Sequence, residues 1–229
     1  MSSNPPDIIR NFERVPAHVV AQAAQFQPAI LADVAGRRGA MHGRIKALRP
    51  RMKLAGPAFT VEVRPGDNLM IHAAIAMARP GDVLVIDGKG DQGSALMGTI
   101  MMTACQKLGI AGVVMDGACR DSLEIDEMDF PVFCVGTNPN GPTKNIAGRI
   151  GHPVSVGDVT VRAGDFVIAD GDGVAVVERE RIEELLPAAA RKVSDEAARI
   201  AAIKEGDTAA KWLNSALRTA GVLKEGEAL

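Results

Sequence analysis

The feature that most constrains this chain is the stretch 88–121, where a glycine-rich turn and a helical segment lie between two wholly apolar runs. Asp82-Val-Leu-Val-Ile-Asp87 reads as a buried strand and leads into Gly88-Lys-Gly-Asp-Gln-Gly93, a turn composition. Residues 94–108 then carry Leu96, Met97, Ile100, Met101, Ala104 and Leu108, the i, i+3/i+4 recurrence of a helix with one buried face. Gly109 follows the last periodic residue, where a left-handed cap is expected. Ile110-Ala-Gly-Val-Val-Met115 is a second buried strand, ending in the loop Asp116-Gly-Ala-Cys-Arg120-Asp121. Such a unit brings two loops to neighbouring strand ends, one rich in backbone N–H groups and one with a cation beside an anion. That is a candidate site for a small anion, and the function is expected there.

The flanks follow the same mixed pattern. Residues 1–14 are polar and proline-bearing and read as an arm; residues 16–35 are helical with a break near Gln27-Pro28 and a stop at Gly36. Residues 44–52 read as a loop or an edge, and residues 58–63 alternate as a strand. Pro65-Gly66-Asp67-Asn68 turns into a helix that Asp67 or Asn68 can cap, with Met70, Ile71, Ala74 and Ile75 as its apolar stripe. After the central stretch come a short helix over 122–128, a strand over 131–135 and the turn signals of Asn138-Pro-Asn-Gly-Pro142. From Pro153 short strands at 154–156, 159–161, 166–169 and 174–177 alternate with Gly-Asp turns. Residues 178–205 are helical and charged, interrupted at Pro187, and 209–220 form a last helix containing Trp212. Ile182, Leu185, Ala189, Val193, Ala197, Ile200 and Ile203 make one apolar stripe along this tail. A helical arm that follows a complete β/α unit commonly packs on a neighbour, so a homo-oligomer is expected.

Charge and cysteine content narrow the partners. Lys plus Arg number 26 against 28 Asp plus Glu, with no basic block, so nucleic acid has no electrostatic footprint. Three cysteines, Cys105, Cys119 and Cys134, lack metal-ligand spacing and fit reduced thiols in a cytoplasm. The N-terminus lacks a signal-peptide layout and no apolar run reaches spanning length, so no membrane partner is expected.

Each candidate site has an ordinary alternative. Gly88-x-Gly90-x-x-Gly93 after a strand, with Asp116 ending the next, matches a nucleoside-cofactor fingerprint of the kind a methyltransferase could use, but the match is a lone one. Asp121-Ser-Leu-Glu124 matches a capping box, which makes Asp121 a helix start and Arg120 a structural ion-pair partner. In the functional reading Arg120 forks onto a carboxylate and Asp121 holds Mg²⁺ or Mn²⁺, ions that need few protein ligands. Together they would take a 2-oxo acid by its carboxylate and keto oxygen. His72 reads as an ordinary helical histidine, and His18, His42 and His152 share no zinc-like spacing with it. Cys119, beside Arg120, could have a lowered pKa but has no histidine nearby to make it a nucleophile. Met97, Met101 and Met102 read as core.

Several blocks together resemble one family: Pro65-Gly-Asp-Asn-Leu-Met-Ile-His72, Ala111-Gly-Val-Val-Met-Asp-Gly-Ala-Cys-Arg-Asp121, Phe130-Pro-Val132 and Ala169-Asp-Gly-Asp-Gly-Val-Ala-Val-Val177. The chain is similar over nearly its whole length to the 4-hydroxy-4-methyl-2-oxoglutarate / 4-carboxy-4-hydroxy-2-oxoadipate aldolases, a family that includes the regulator of ribonuclease activity A. The long tail looks like the aldolase branch. The resemblance implies an α/β fold, a β/β/α swivelling-domain-like sandwich over 1–178 with an N-terminal arm, and a helical tail over 179–229 packing on a neighbouring subunit. It implies a cytoplasmic homotrimer or homohexamer, a divalent-metal-dependent lyase releasing pyruvate or oxaloacetate from 4-hydroxy-2-oxo di- or tricarboxylic acids, with oxaloacetate decarboxylation as a side activity. By the same likeness Arg120 binds the pyruvyl carboxylate, Asp121 ligates the metal, the amides of Gly98, Thr99, Ile100 and Met101 bind substrate, and Glu196 from a neighbour takes part in proton transfer. The family's motif aspartate falls on Thr99 and its first glycine on Ala95. A hydroxyl in place of that carboxylate implies a weakened lyase; a ribonuclease-regulator-like binding protein is the alternative.

Overall fold

Four parallel strands form the centre of the protein in a computed structural model whose described residues are 7–229. In chain order the elements are α1 (Ala17–Ala23), α2 (Pro28–Val34), β1 (Lys46–Ala47), β2 (Leu54–Glu62), α3 (Leu69–Met77), β3 (Val83–Met97), α4 (Thr99–Lys107), β4 (Gly112–Cys119), α5 (Ser122–Glu127) and β5 (Val132–Thr137). They continue with β6 (Arg149–Ile150), β7 (Val154–Val156), β8 (Val159–Val161), β9 (Phe166–Asp170), β10 (Gly173–Val177), α6 (Ile182–Lys204) and α7 (Leu213–Thr219). The main sheet runs β1-β5-β4-β3-β2-β9-β10, with β6 also on β2. Strands β2 to β5 are parallel, as their helical crossovers require, and β1, β6, β9 and β10 join antiparallel. β2 is shared: Leu54 to Pro57 pair with β9, while Ala58 to Glu62 pair with β3. The expected α/β architecture is therefore the observed one.

Two apolar clusters hold this frame. The larger surrounds the parallel strands and takes in Phe59, Leu84, Ile86, Met102 and Phe133; the smaller packs α1, α2 and the first turns of α6 on β9 and β10 through Val19, Leu31, Phe166 and Leu185. The chain divides into compact units at Met1–Ala189 and Ala190–Leu229, so the opening turns of α6 belong with the sheet. Pro187 lies inside α6 without ending it, where an interruption was expected. It stands six residues into the helix, where it costs one backbone hydrogen bond. The second unit holds the rest of α6 and α7, with Arg199 binding Asp207 (3.3 Å) and the carbonyl of Ala209 (2.9 Å). No helix among the described residues is long and apolar enough to cross a membrane.

The N-terminal arm is tied down over its described part; residues 1–6 lie outside the described residues. Ile8 bridges to Ile150, Phe12 stacks on Phe59 with ring centroids 5.5 Å apart, and the Arg14 guanidinium lies 4.1 Å from the Phe12 ring centre. Arg14 grips Asp82 through Nε and a terminal nitrogen at 2.7 and 2.9 Å, and the Asp82 side chain is 1% exposed. Removing one partner of a buried ion pair strands the other charge. Arg14→Ala is therefore expected to cost about 3 kcal/mol, read as a lowered denaturant midpoint at unchanged m-value.

Candidate active site

Helix α4 begins at Thr99, because β3 runs on through Gly88–Gly93 to Met97 and bulges on the way. The helix expected from residue 94 is corrected accordingly. Ser94 to Met97 are buried strand residues, Ile100 is 82% exposed, and the buried side of α4 is Met101, Met102 and Cys105. The C-terminal end is as expected: Gly109 has φ 73°, its N–H reaches Gln106 O and that of Ile110 reaches Cys105 O, both at 3.0 Å.

This arrangement dismantles the nucleoside-cofactor fingerprint. Gly93 is followed by strand, so no helix N-terminus faces the glycines. Lys89 is held by Glu62 (2.9 Å) and Asp87 (2.6 Å). Asp116 lies inside β4 and is 3% exposed, taking two bonds from Arg44 (3.1 and 2.9 Å) and one from Gly157 N (2.9 Å). It is a structural carboxylate.

Where β3 and β4 end side by side, the chain makes a cleft of about 160 Å³. It is lined by Ala95 to Gly98, by Arg120 and Asp121, by Asn68 and His72 of the α3 start, and by Pro142 and Lys144. Ile100 and Met101 complete it. Asp121 has a left-handed backbone (φ 60°) and its side chain makes no capping bond to α5, so the capping-box alternative falls. Instead Oδ2 accepts Thr99 N–H at 3.0 Å, and Oδ1 takes no hydrogen bond from a described residue. Arg120 N–H is fixed on Met97 O (3.0 Å), while its guanidinium stands 3.7 Å from Asp121 Oδ2, a loose contact that leaves the fork open. The two side chains are 41% and 37% exposed. Gly98 is needed here for space: a Cβ would collide with Asp121 Oδ2 and crowd Arg120 Nε at 3.1 Å.

Of the four amides expected to meet substrate, that of Thr99 is taken by Asp121 and that of Met101 by Gly98 O (3.0 Å). Those of Gly98 and Ile100 have no partner among the described residues. Two buried side-chain oxygens, Asn68 Oδ1 and Thr99 Oγ1, also lack one; Asn68 is oriented by its Nδ2 bond to Leu96 O (2.8 Å). Glu196 belongs to the second unit, ion-paired to Lys192 at 2.9 Å, and the residues lining the cleft all come from the first.

Sequence reasoning missed Asn68, His72 and Lys144. His72 lines the cleft rather than serving only its helix. The turn signals at Asn138 to Pro142 also belong here. Asn138 Nδ2 binds Gln92 O (2.6 Å), Asn140 Nδ2 binds Gly93 O (3.1 Å) and Ala95 N binds Asn140 O (2.8 Å), which carries the loop to the cleft. Cys119 is no activated thiol. Its Sγ is 3.7 Å from Cys134 Sγ, and that hydrogen bond together with burial pushes its pKa up, opposite to the lowering expected from Arg120.

Among the described residues no group of three or more His, Cys, Asp or Glu could cage a metal. Asp121 alone offers a carboxylate oxygen to the cleft. One such ligand, with waters and substrate oxygens for the rest, fits Mg²⁺ or Mn²⁺ and does not fit a structural zinc.

A sequence model of the RraA-like family, described as Aldolase/RraA, matches residues 19–176. A Halalkalibacterium halodurans protein named "Putative 4-hydroxy-4-methyl-2-oxoglutarate aldolase" is 42% identical over 161 residues, 70% of this chain and 77% of that one. An Arabidopsis thaliana protein of the same name with the suffix 3 is 32% identical over 164 residues, 72% of this chain and 97% of its own. Among solved structures, RraAS2 of Streptomyces coelicolor, an unusual member of the RNase ES inhibitor RraA protein family, superposes with a TM-score of 0.76 at 27% identity, covering 82% of this chain and 99% of that one.

Proposed function

Given that this chain belongs to the RraA-like (Aldolase/RraA) family, we propose that it is a divalent-metal-dependent carbon–carbon lyase. Its substrates are 4-hydroxy-2-oxo di- or tricarboxylic acids, its product pyruvate or oxaloacetate, and oxaloacetate decarboxylation is a side activity. One observation supports this most: a guanidinium with an open fork, a carboxylate with an open oxygen, and Gly98 and Ile100, whose amides have no partner among the described residues, line one small cleft.

Each group has a task in the cleavage. Arg120 takes the carboxylate next to the ketone in two parallel hydrogen bonds, and its charge offsets the enolate that builds up. The Gly98 and Ile100 amides hydrogen-bond the same end of the substrate. Lys144, which also lines the cleft, takes a second carboxylate. A base removes the 4-hydroxyl proton, the oxygen becomes a carbonyl, the C3–C4 bond breaks, and its electron pair moves to the pyruvyl enolate, which then takes a proton at C3. Asp121 Oδ1 would hold Mg²⁺ or Mn²⁺, which supplies Lewis-acid polarisation of the 2-keto oxygen when bound.

Glu196 of a neighbouring copy is the proposed proton-transfer group. The exposed Val193, Ile200 and Ile203 on its helix (44%, 54% and 42%) support docking of that helix in a homotrimer or homohexamer. Three free cysteines accord with a cytoplasmic setting.

A panel of 4-hydroxy-2-oxo acids and oxaloacetate, assayed for pyruvate release with Mg²⁺ and Mn²⁺, tests the reading. No release from any of them, together with no oxalate binding by calorimetry, would remove it. Thr99 adds a graded test. Thr99→Asp sets a second anion beside Asp121, so its melting temperature should fall without Mg²⁺ and recover with it. Cleavage should rise roughly tenfold, the lower range for gaining a supporting partner near a metal. A loss of stability that Mg²⁺ leaves untouched, with no faster cleavage, would mean position 99 faces away from the ion.

A further inference from the structure

Lys144 sits on an exposed loop, yet both sides of it are fastened to one buried carboxylate. Asp67 is 1% exposed. Its Oδ2 accepts Thr143 Oγ1–H (2.6 Å), Asn145 N–H (2.7 Å) and Ile146 N–H (3.2 Å), and its Oδ1 accepts Leu69 N–H (3.0 Å). Two backbone bonds run parallel to these, Asn68 N–H to Thr143 O (3.0 Å) and Thr143 N–H to Gly66 O (2.8 Å). Burial alone would raise the Asp67 pKa, but the donors led by Asn145 and Thr143 outweigh it and hold the group below the usual carboxylate range. An ionised oxygen that gathers three donors makes stronger bonds than a neutral one. The residues before and after Lys144 are thereby pinned to the start of α3, which supplies Asn68 and His72 to the same cleft.

We infer that Asp67 is a positioning residue that acts through Lys144, setting where the ammonium meets the far carboxylate of a two-ended 2-oxo acid. The inference rests on the lyase reading of the cleft. It separates two parts of recognition: the Arg120–Asp121 side receives the oxo-acid end, and the Asp67-fastened loop measures the distance to the second acid group. Asp67→Asn keeps the shape but removes the charge and turns one acceptor into a donor facing an N–H.

The test is calorimetric binding with Mg²⁺ present, using oxalate as a one-ended ligand and 2-oxoglutarate as a two-ended one, on the full chain. Asp67→Asn should weaken 2-oxoglutarate about tenfold, short of the roughly hundredfold that a 1 Å misplacement can bring, and leave oxalate within about twofold. In a Lys144→Ala background the same substitution should have no further effect on 2-oxoglutarate, because the group it positions is gone. If Asp67→Asn weakens both ligands equally, or keeps its full effect without Lys144, Asp67 is only a fold residue and the inference is overturned while the lyase reading stands. A wild-type protein that binds neither ligand overturns both.

Discussion

Asp121→Asn is expected to abolish aldol cleavage and oxaloacetate decarboxylation while leaving the fold intact. The amide side chain has the same shape, and its oxygen can still accept Thr99 N–H, now 3.0 Å from Asp121 Oδ2. The melting temperature should therefore stay near that of the wild type. What disappears is the anionic oxygen proposed to hold the metal, and no acidic, imidazole or thiol cluster among the described residues could take over that task. Lewis-acid stabilisation is worth several kcal/mol, so the rate should fall roughly a thousandfold or more. Free Mn²⁺ measured by electron paramagnetic resonance reads the same loss without any turnover. A variant that retains Mn²⁺ binding and cleaves within tenfold of wild type would place the metal elsewhere.

Arg120→Lys should produce the second largest loss, with a different signature. The lysine keeps the charge but not the planar fork, so two parallel bonds to a carboxylate become one. The pocket is shaped for the guanidinium: a Cβ on Gly98 would meet Arg120 Cγ at 2.9 Å, and one on Gly141 would meet a terminal nitrogen at 3.1 Å. Turnover efficiency should drop roughly a hundredfold, the scale of one lost electrostatic donor, and oxalate should bind more weakly. Because the side chain is 41% exposed and its contact with Asp121 is loose at 3.7 Å, stability should barely change. Lost stability with retained oxalate binding would make Arg120 a structural residue.

Local pattern sufficed where one periodicity had no rival. The break between α1 and α2 at Pro28, the glycine cap after α4 and the short strands after residue 153 all appear where composition put them. It failed where a short apolar run suits either period. Leu96 and Met97 fit a helical stripe, but β4 alongside draws them into β3. Long-range partners were equally hidden. Asp116 is explained by Arg44, 72 positions away, and Asp121 by an amide 22 positions back rather than by the Glu124 that suggested a capping box. Arg120 and Asp121 were legible as a site because a strand end is where loops meet. Asn68, His72 and Lys144 were not, because only the crossing of α3 and the 138–144 loop over that strand end makes them neighbours.

The left-handed backbone at Asp121 has a consequence for how this site can vary. At φ 60° most side chains pay roughly 1–2 kcal/mol, and asparagine, aspartate and glycine are the ones that settle there readily. Of those three only aspartate carries a charge. Glutamate, the other acidic ligand available to a protein, is disfavoured by the backbone before its longer reach is even considered. If Asp121 holds the metal as proposed, the replacements that this backbone takes most readily, asparagine and glycine, would each lose the anion. Glutamate would keep it only at a backbone cost of roughly 1–2 kcal/mol, one that Arg37 and Lys89 already bear at φ 59° and 62° in this chain.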